Sequence, residues 1–262
     1  MFNLTPVVRV LLLLNVAVLL LQNAGMVPTD VFALHAFTSP LFRPWQLVTY
    51  MFMHGGWGHL FSNSLSLFIF GALLEQHWGG RRFVTFYLVC GLGAGILYNG
   101  IRGWELRQVD VAATEFAAEP SAIGFARFTD AYGGSDDYAY ESLTKALKNA
   151  GPDSDIMGAA QKMVAEIAEY IITYSSMLGA SGAVFGILFA FGYLFPNTKM
   201  FVFPLPIALE AKYLVFLYGA YELFRGANRT AGDNVAHFAH LGGMLIAFLL
   251  LKYWEKRSPD FY

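Results

Sequence analysis

The chain has 262 residues, of which 56 % are hydrophobic and only 14 % are charged, and its mean hydropathy is +0.47. This composition is too apolar for an ordinary water-soluble domain and predicts a protein embedded in a lipid bilayer. The formal net charge is −2, and we expect no nucleic-acid partner.

The charged residues are distributed unevenly along the chain. Residues 102–176 include twelve acidic and six basic side chains, a net charge of −6, whereas the remainder includes seven acidic and eleven basic side chains, a net charge of +4. This contrast predicts three segments. Helices 1–3 of a membrane core cover 1–103, an acidic extramembrane insertion covers 104–174, and helices 4–6 of the core cover 175–262.

Six windows of the chain are apolar enough to cross the hydrocarbon core as helices, which takes about 20 residues. They cover residues 8–22, 59–76, 83–101, 177–195, 200–221 and 235–254. We expect the first to be retained, because the sequence that follows it is a poor signal-peptide cleavage site. The predicted fold class is therefore all-α, a bundle of six transmembrane helices with a helical insertion between helices 3 and 4.

The basic residues of the short loops predict the orientation of the bundle, since cytoplasmic loops are enriched in lysine and arginine. Arg81 and Arg82 lie between the second and third spans, Lys199 lies between the fourth and fifth, and three more basic residues lie within 252–257 after the sixth. These loops and the amino terminus are predicted to be cytoplasmic. The insertion and the first residues of spans two, four and six then lie on the outer side.

The insertion is predicted to contain two amphipathic helices. Glycine-rich and aspartate-rich turns lie at 133–137 and 151–153. Apolar residues recur at helical spacing near Leu143 and again from Ala160 to Ile171, with Asp153 or Ser154 as the cap of the second helix. A partly disordered acidic loop is the alternative. Because the insertion enters the chain just before span four, we expect it to cover the site described next and to filter substrates.

Four polar side chains lie near the outer ends of spans two, four and six. Ser181 lies in the glycine-rich run 179–182, and His240 opens span six. His59 and Asn63 are four residues apart and share one face of span two. Polar groups are costly in hydrocarbon unless they are paired, so residues of this kind indicate a functional site. At similar depth, the four side chains can meet in one outward-facing pocket.

These residue types can carry out acyl transfer by a serine nucleophile. The Ser181 hydroxyl can attack a carbonyl group while the His240 imidazole takes its proton. His59, Asn63 and the backbone N–H at the serine can stabilise the oxyanion. No acidic residue stands near His240 within the membrane segments, and Asp233 lies in the loop before span six. We therefore expect a Ser-His dyad rather than a triad.

Five motifs follow one another along the predicted core: WQLVT at 45–49, HGGWGH at 54–59 with Asn63 after it, the segment 75–82, GASG at 179–182 and AHLGG at 239–243. Together they resemble the rhomboid intramembrane serine proteases, over the whole chain except the insertion. The resemblance implies that Ser181 is the nucleophile and His240 the base. It also implies that His59 and Asn63 are oxyanion donors.

The resemblance extends to residues that support the site. His54 is similar to a structural histidine before span two, Gly179 belongs to the serine motif, and Gly243 matches a glycine that lets span six pack on span four. Phe185 holds the place of an aromatic residue that stacks on the catalytic imidazole. One position departs from the family, because Gln46 follows Trp45 where many members have arginine.

Several alternative interpretations compete with proteolysis. A serine among glycines is often a helix-packing residue. Four histidines could be drawn as a metal site, namely His54, His59, His237 and His240. The chain has no His-Glu-x-x-His motif, so we expect neither a metal nor a cofactor, and we expect His237 to be a loop-end residue. A transporter would show internal repeats, and none is visible in the sequence. An inactive rhomboid-like protein that binds transmembrane clients remains, although retention of both Ser181 and His240 disfavours it.

The predicted function is that of an intramembrane serine endopeptidase that cleaves transmembrane segments of membrane-protein substrates near the outer face of the bilayer. The substrate helix must unwind locally, because a helix hides its backbone carbonyls, so Gly or Pro should mark good substrates. The resemblance also implies a small residue before the scissile bond. We expect a multi-pass protein of a bacterial inner membrane.

Overall fold

The computed structural model describes residues 4–134, 137–149, 151, 154–201, 208–228 and 236–257. The described chain is mostly helical. Its α-helices are α1 (Pro6–Asn23), α2 (Thr29–Phe32), α3 (Gln46–Thr49), α4 (Trp57–Ser66), α5 (Ala72–Trp78), α6 (Gly80–Ala118), α7 (Ala122–Tyr132), α8 (Asp137–Leu147), α9 (Asp155–Tyr174), α10 (Ser181–Leu194), α11 (Ala211–Ala227) and α12 (His237–Arg257). Two short antiparallel ladders join β1 (Leu34–His35) to β2 (Ser176–Met177) and β3 (Lys199–Phe201) to β4 (Ala208–Glu210).

Helices occupy each predicted span, although their bounds differ from the prediction. By length and composition, three helical segments can cross a membrane: Pro6–Asn23, Trp57–Trp78 and Gly80–Ala118. The second of these joins α4 to α5 through one π-helical segment, Leu67–Gly71. The helix α10 is apolar but has only 14 residues. The prediction of a mostly helical membrane protein is confirmed, while the count of six crossings stays a prediction.

The fifth helix begins and ends later than the sequence predicts. The predicted span 200–221 begins with strand residues, whereas α11 starts at Ala211 and continues to Ala227. Pro204 and Pro206 lie in the sequence between β3 and β4, and proline is incompatible with a helix interior. The shift brings Glu222 into the helix, and this residue contacts the candidate site.

The third helix is longer than predicted. The predicted span 83–101 is the first part of α6, which continues without interruption to Ala118 and has 39 residues. At a rise of 1.5 Å per residue this helix is about 58 Å long, roughly twice the thickness of the hydrocarbon core. Its second half is therefore a rigid arm on which the insertion is built.

The insertion has its own hydrophobic cluster. The apolar faces of the α6 arm, α7, α8 and α9 meet in it, with these buried residues: Val109, Phe116, Phe125, Phe128, Leu147, Met157, Ala160, Val164 and Ala168. The helices α8 and α9 lie at the positions of the two predicted helices, while the sequence missed α7 and the arm. Ser154 caps α9 by accepting a hydrogen bond from the Met157 N–H, and the alternative cap Asp153 lies outside the described residues.

The exit of the insertion is tied to the membrane core on its way to the serine motif. The Arg102 guanidinium donates to Ser175 Oγ at 2.6 Å, and Ser39 Oγ donates to the Thr173 carbonyl at 2.7 Å. The ladder of β1 and β2 follows, and then the Gly179 N–H donates to the Tyr50 carbonyl at 2.9 Å. The segment before α10 is thus held over its whole length.

The helices that carry the serine and the histidine cross at glycines. A Cβ added to Gly243 of α12 would collide with the backbone carbonyl of Gly182 on α10, and a Cβ on Gly182 would lie 2.6 Å from Ala94 Cβ on α6. The close packing of span six on span four that the resemblance implied for Gly243 is present in this structure. This contact brings the first turns of α10 and α12 together.

Candidate active site

The serine motif forms a tight turn into α10. Gly179 has φ of 127°, which strains any residue with a side chain. A Cβ there would also lie 2.7 Å from Cε1 of the His59 ring. Ser181 is the first residue of α10, in the turn whose backbone N–H groups lack intrahelical acceptors. The turn therefore presents a hydroxyl and free backbone donors beside His59.

The Ser181 hydroxyl and the His240 imidazole lie within a hydrogen bond of each other. Ser181 Oγ is 2.9 Å from His240 Nε2. The Phe185 ring, one turn along α10, stacks on His240 with 4.2 Å between ring centroids and 5° between planes. His240 is buried, with 8 % of its surface exposed. The predicted proximity of Ser181, His240 and Phe185 is therefore present.

The expectation that no acidic residue stands near His240 is wrong. Glu222 on α11 lies with Oε2 at 2.9 Å from His240 Nδ1, an ion-pair distance without the alignment of a hydrogen bond. The same oxygen is 2.6 Å from Nδ1 of His237. The sequence did not place Glu222 beside His240, because the predicted fifth span ended one residue before it. A shift of that helix by a few residues, as Pro204 and Pro206 suggest, is the signal that could have found it.

His237 is also placed differently from the prediction. It is the first residue of α12 and is 3 % exposed, so it is a buried partner of Glu222 rather than a loop-end residue. Glu222, His237 and His240 present donor atoms within 4.8 Å of one another, a group that could hold a metal ion. This group is not the set of four histidines weighed from the sequence. The expected absence of a metal stays a prediction, and Asp233 lies outside the described residues.

His59 and Asn63 of α4 approach the serine turn from the other side. The Gly55 N–H donates to His59 Nδ1 at 3.3 Å, so the neutral His59 ring carries its proton on Nε2, the atom beside Gly179. Asn63 is 5 % exposed, and in the described chain its Nδ2 has no hydrogen-bond partner. Both side chains thus place an N–H donor near the turn that carries Ser181, and within the described residues that of Asn63 is unused.

His54 supports the start of α4. Its backbone N–H donates to Gln22 Oε1 at 3.0 Å, and Gln22 Nε2 donates to its carbonyl at 3.1 Å, which ties this loop to the end of α1. The His54 ring packs edge-on against His59, with centroids 5.2 Å apart. Burial, with the His59 ring beside it, lowers the pKa of His54 to about 4, so the ring is neutral at physiological pH. These contacts fit a structural residue.

Gln46 lies in the loop between α1 and α4 and hydrogen-bonds to the backbone of this loop. It is fully buried, accepts hydrogen bonds from the Arg43 and His35 N–H groups, and donates to the Leu41 carbonyl at 3.0 Å. Trp45 beside it is 49 % exposed. The glutamine therefore stabilises the loop from within.

Comparison with known proteins agrees with the resemblance. The profile of the Rhomboid domain matches residues 42–105 and 156–256, which omits most of the insertion. An uncharacterized mitochondrial rhomboid protein of Schizosaccharomyces pombe is 26 % identical over 230 residues, 82 % of this chain and 53 % of that protein. Rhomboid protein 1 of Saccharomyces cerevisiae, also mitochondrial, is 41 % identical over 81 residues, 30 % of this chain and 22 % of that protein.

A bacterial protein is similar over a shorter segment. The Bacillus subtilis protein YdcA, which carries the provisional name rhomboid protease, is 40 % identical over 55 residues, 21 % of this chain and 26 % of that protein. This chain spans about half or less of the length of these relatives. The profile match covers residues on both sides of the insertion, including the helices α10 and α12 that carry Ser181 and His240. The chain belongs to the rhomboid family of membrane proteins.

Proposed function

We propose that this protein is an intramembrane serine endopeptidase. The observation that carries the proposal is the 2.9 Å contact between Ser181 Oγ and His240 Nε2 at the adjoining first turns of α10 and α12. A hydroxyl and an imidazole at this distance in an apolar helix bundle have the geometry that a nucleophile and its general base require. Family membership supports the same chemistry.

The first step forms an acyl-enzyme. His240 Nε2 takes the proton of Ser181 Oγ as the oxygen attacks the scissile carbonyl carbon. Negative charge then develops on the carbonyl oxygen beside the start of α10, where backbone N–H groups and the positive end of the helix dipole lie. His59 Nε2 and Asn63 Nδ2 are the side-chain donors for that charge.

The second half restores the enzyme. The His240 imidazolium gives its proton to the leaving amine, which completes cleavage of the peptide bond. Water then attacks the acyl-enzyme, with His240 again as base and then acid, and releases Ser181. The polar residues of α4 between Ser62 and Ser66 are our candidate for the route by which that water arrives.

The substrates of this reaction are transmembrane segments of other membrane proteins. An intact helix does not offer its carbonyls to Ser181, so the segment must unwind near the site, which we place at the outer face of the bilayer. We propose that the insertion, whose exit is tied to the turn before Ser181, restricts which segments arrive there.

The test is serine-directed labelling together with cleavage of a model single-span substrate in detergent. The wild type should be labelled by a fluorophosphonate and should cleave the substrate, whereas Ser181→Ala should lose the label and its turnover should fall on the order of 10⁶-fold. Ser142→Ala is the matched control, because this exposed serine lies on α8 of the insertion and has no part in the proposed chemistry.

Two outcomes would decide against the proposal. Full turnover by Ser181→Ala would show that another group is the nucleophile. A folded wild type that neither takes the label nor cleaves, yet binds the model substrate, would show a client-binding rhomboid-like protein instead.

A further inference from the structure

A buried carboxylate lies behind the candidate base. Glu222 is 4 % exposed and sits on α11, one of the helices of the apolar core. A buried charge is costly unless it is paired and hydrogen-bonded. Its partners here are two imidazoles from the first turn of α12, His237 and His240. The chain therefore keeps a charged group at a place where only a specific arrangement stabilises it.

One carboxylate oxygen contacts both rings. Glu222 Oε2 is 2.6 Å from His237 Nδ1 and 2.9 Å from His240 Nδ1. An ionised carboxylate can only accept, so its negative charge favours the tautomer of each neutral ring that carries the proton on the facing Nδ1. For His240 this leaves the lone pair on Nε2, the atom that lies against Ser181 Oγ. That tautomer is the one a general base needs.

The two contacts differ in kind. The contact to His237 is a hydrogen bond, whereas the contact to His240 lacks hydrogen-bond alignment, and the described chain supplies no other hydrogen-bond partner to His240 Nδ1. His237 thus holds the carboxylate in place, and the carboxylate acts on His240 through its charge. When His240 becomes an imidazolium, a negative charge already lies 2.9 Å away in a medium of low dielectric.

We propose that Glu222 and His237 form a positioning pair for His240, so that the reactive unit is a chain of four side chains from α10, α11 and α12 rather than a dyad. This inference rests on the proposed function. Glu222 selects the His240 tautomer and stabilises its protonated form, and His237 fixes the carboxylate. Neither residue touches the substrate.

The test separates positioning from folding by measuring kcat and KM in detergent beside thermal unfolding. Glu222→Gln keeps the size but removes the charge, and should lower kcat on the order of 10²-fold with KM within about twofold of wild type. Glu222→Asp keeps the charge and should recover at least about a tenth of wild-type kcat. His237→Gln keeps an N–H donor and should lose less than Glu222→Gln.

The matched control is Glu210→Gln. Glu210 precedes the same helix and pairs with exposed Lys212 at 2.7 Å, away from the histidines. It should leave kcat unchanged. Equal kcat in wild type and Glu222→Gln would overturn the proposal, and so would a loss in Glu222→Gln that Glu222→Asp does not relieve and that follows the unfolding temperature.

A spectroscopic readout does not depend on turnover. In protein with ¹⁵N-labelled histidine, the nitrogen resonances should show His240 protonated at Nδ1 in the wild type and a mixture of tautomers in Glu222→Gln. An unchanged tautomer would contradict the pair. If the wild type neither cleaves nor takes the serine label, the proposed function fails while this measurement still decides the contact.

Metal analysis of the same samples provides a further check. The three donor atoms could hold a zinc ion in place of the two protons. If purified wild type contains stoichiometric zinc, and both Glu222→Gln and His237→Gln lose it, the three residues form a metal site and the positioning pair is wrong. We expect zinc below about a tenth of the protein concentration in all samples.

Discussion

The amide of Asn63 shows how a single residue can reveal a function. It is buried in α4, and its Nδ2 lacks a hydrogen-bond partner in the described chain. A buried donor of this kind costs free energy of about 1–3 kcal/mol. The donor lies near Gly179, which precedes Ser181 by two residues. The oxyanion of the proposed reaction would form close to this turn. An unused donor at this place fits a group that finds its partner only in the transition state.

Replacing Asn63 by alanine should therefore separate activity from stability. We expect kcat for a model substrate to fall about 10²- to 10³-fold, the usual effect of losing one oxyanion donor, with no fall in the unfolding temperature. Asn99→Ala is the contrasting variant, because Asn99 Oδ1 accepts a hydrogen bond from the Phe37 N–H at 2.8 Å and its loss should lower stability. Wild-type turnover in Asn63→Ala would remove this residue from the site.

At the scale of the elements, the candidate site depends on how α10 and α12 cross. Gly182 and Gly243 let the two backbones touch, and the contact sets the distance between the first turns of both helices. The obstacle to a larger residue at 243 is a backbone carbonyl, which cannot rotate away as a side chain can. The packing of these two helices therefore determines the distance between Ser181 Oγ and His240 Nε2.

Gly243→Ala should be strongly destabilising. Overpacking a tight core costs about 1–3 kcal/mol, and here the methyl group meets backbone, so we expect the upper part of that range together with loss of serine labelling. Gly100→Ala is the matched control on α6, because a Cβ there meets nothing within 4 Å and the substitution removes flexibility from a helix. Thermal unfolding in detergent measures both. Equal unfolding temperatures for the two variants would show that α12 can move freely.

At the scale of the whole molecule, the chain has two parts, an apolar helix bundle and an acidic insertion, and each has its own hydrophobic cluster. The apolar helices form one cluster that includes α10 and α12, and the acidic insertion forms another on the arm of α6. The orientation of these parts relative to the membrane is a prediction from the loop charges. Two similar proteins are named mitochondrial and a third is from Bacillus subtilis, so the expected bacterial inner membrane stays a prediction.

The orientation can be tested with single cysteines, because the natural Cys90 is buried and should not react. Tyr138→Cys on the insertion, where the side chain is 85 % exposed, should react with a membrane-impermeant maleimide added outside intact cells. Lys256→Cys, at the end of α12, should react only after lysis. Labelling of both, or of the second alone, would contradict the predicted orientation.

The sequence by itself determined the membrane class and the family, and it predicted the four candidate residues Ser181, His240, His59 and Asn63. The apolar segments that form α4, α10 and α12 could be recognised from composition, and the motifs at 179–182 and 239–243 place Ser181 and His240 in the first turns of two of these helices. Local sequence suffices for these features because each depends on one segment, its hydrophobicity and the residues at its end.

Only the tertiary structure decided what lies behind the base. Glu222 and His237 are 15 residues apart, and their contact depends on where α11 begins and ends and on how it faces α12. A span predicted from hydropathy has uncertain bounds, and an error of a few residues moves a side chain out of the membrane or onto another face. The same holds for α6, whose polar second half is helical because α7, α8 and α9 bury its apolar side. Contacts between helices, rather than local propensity, settle such features.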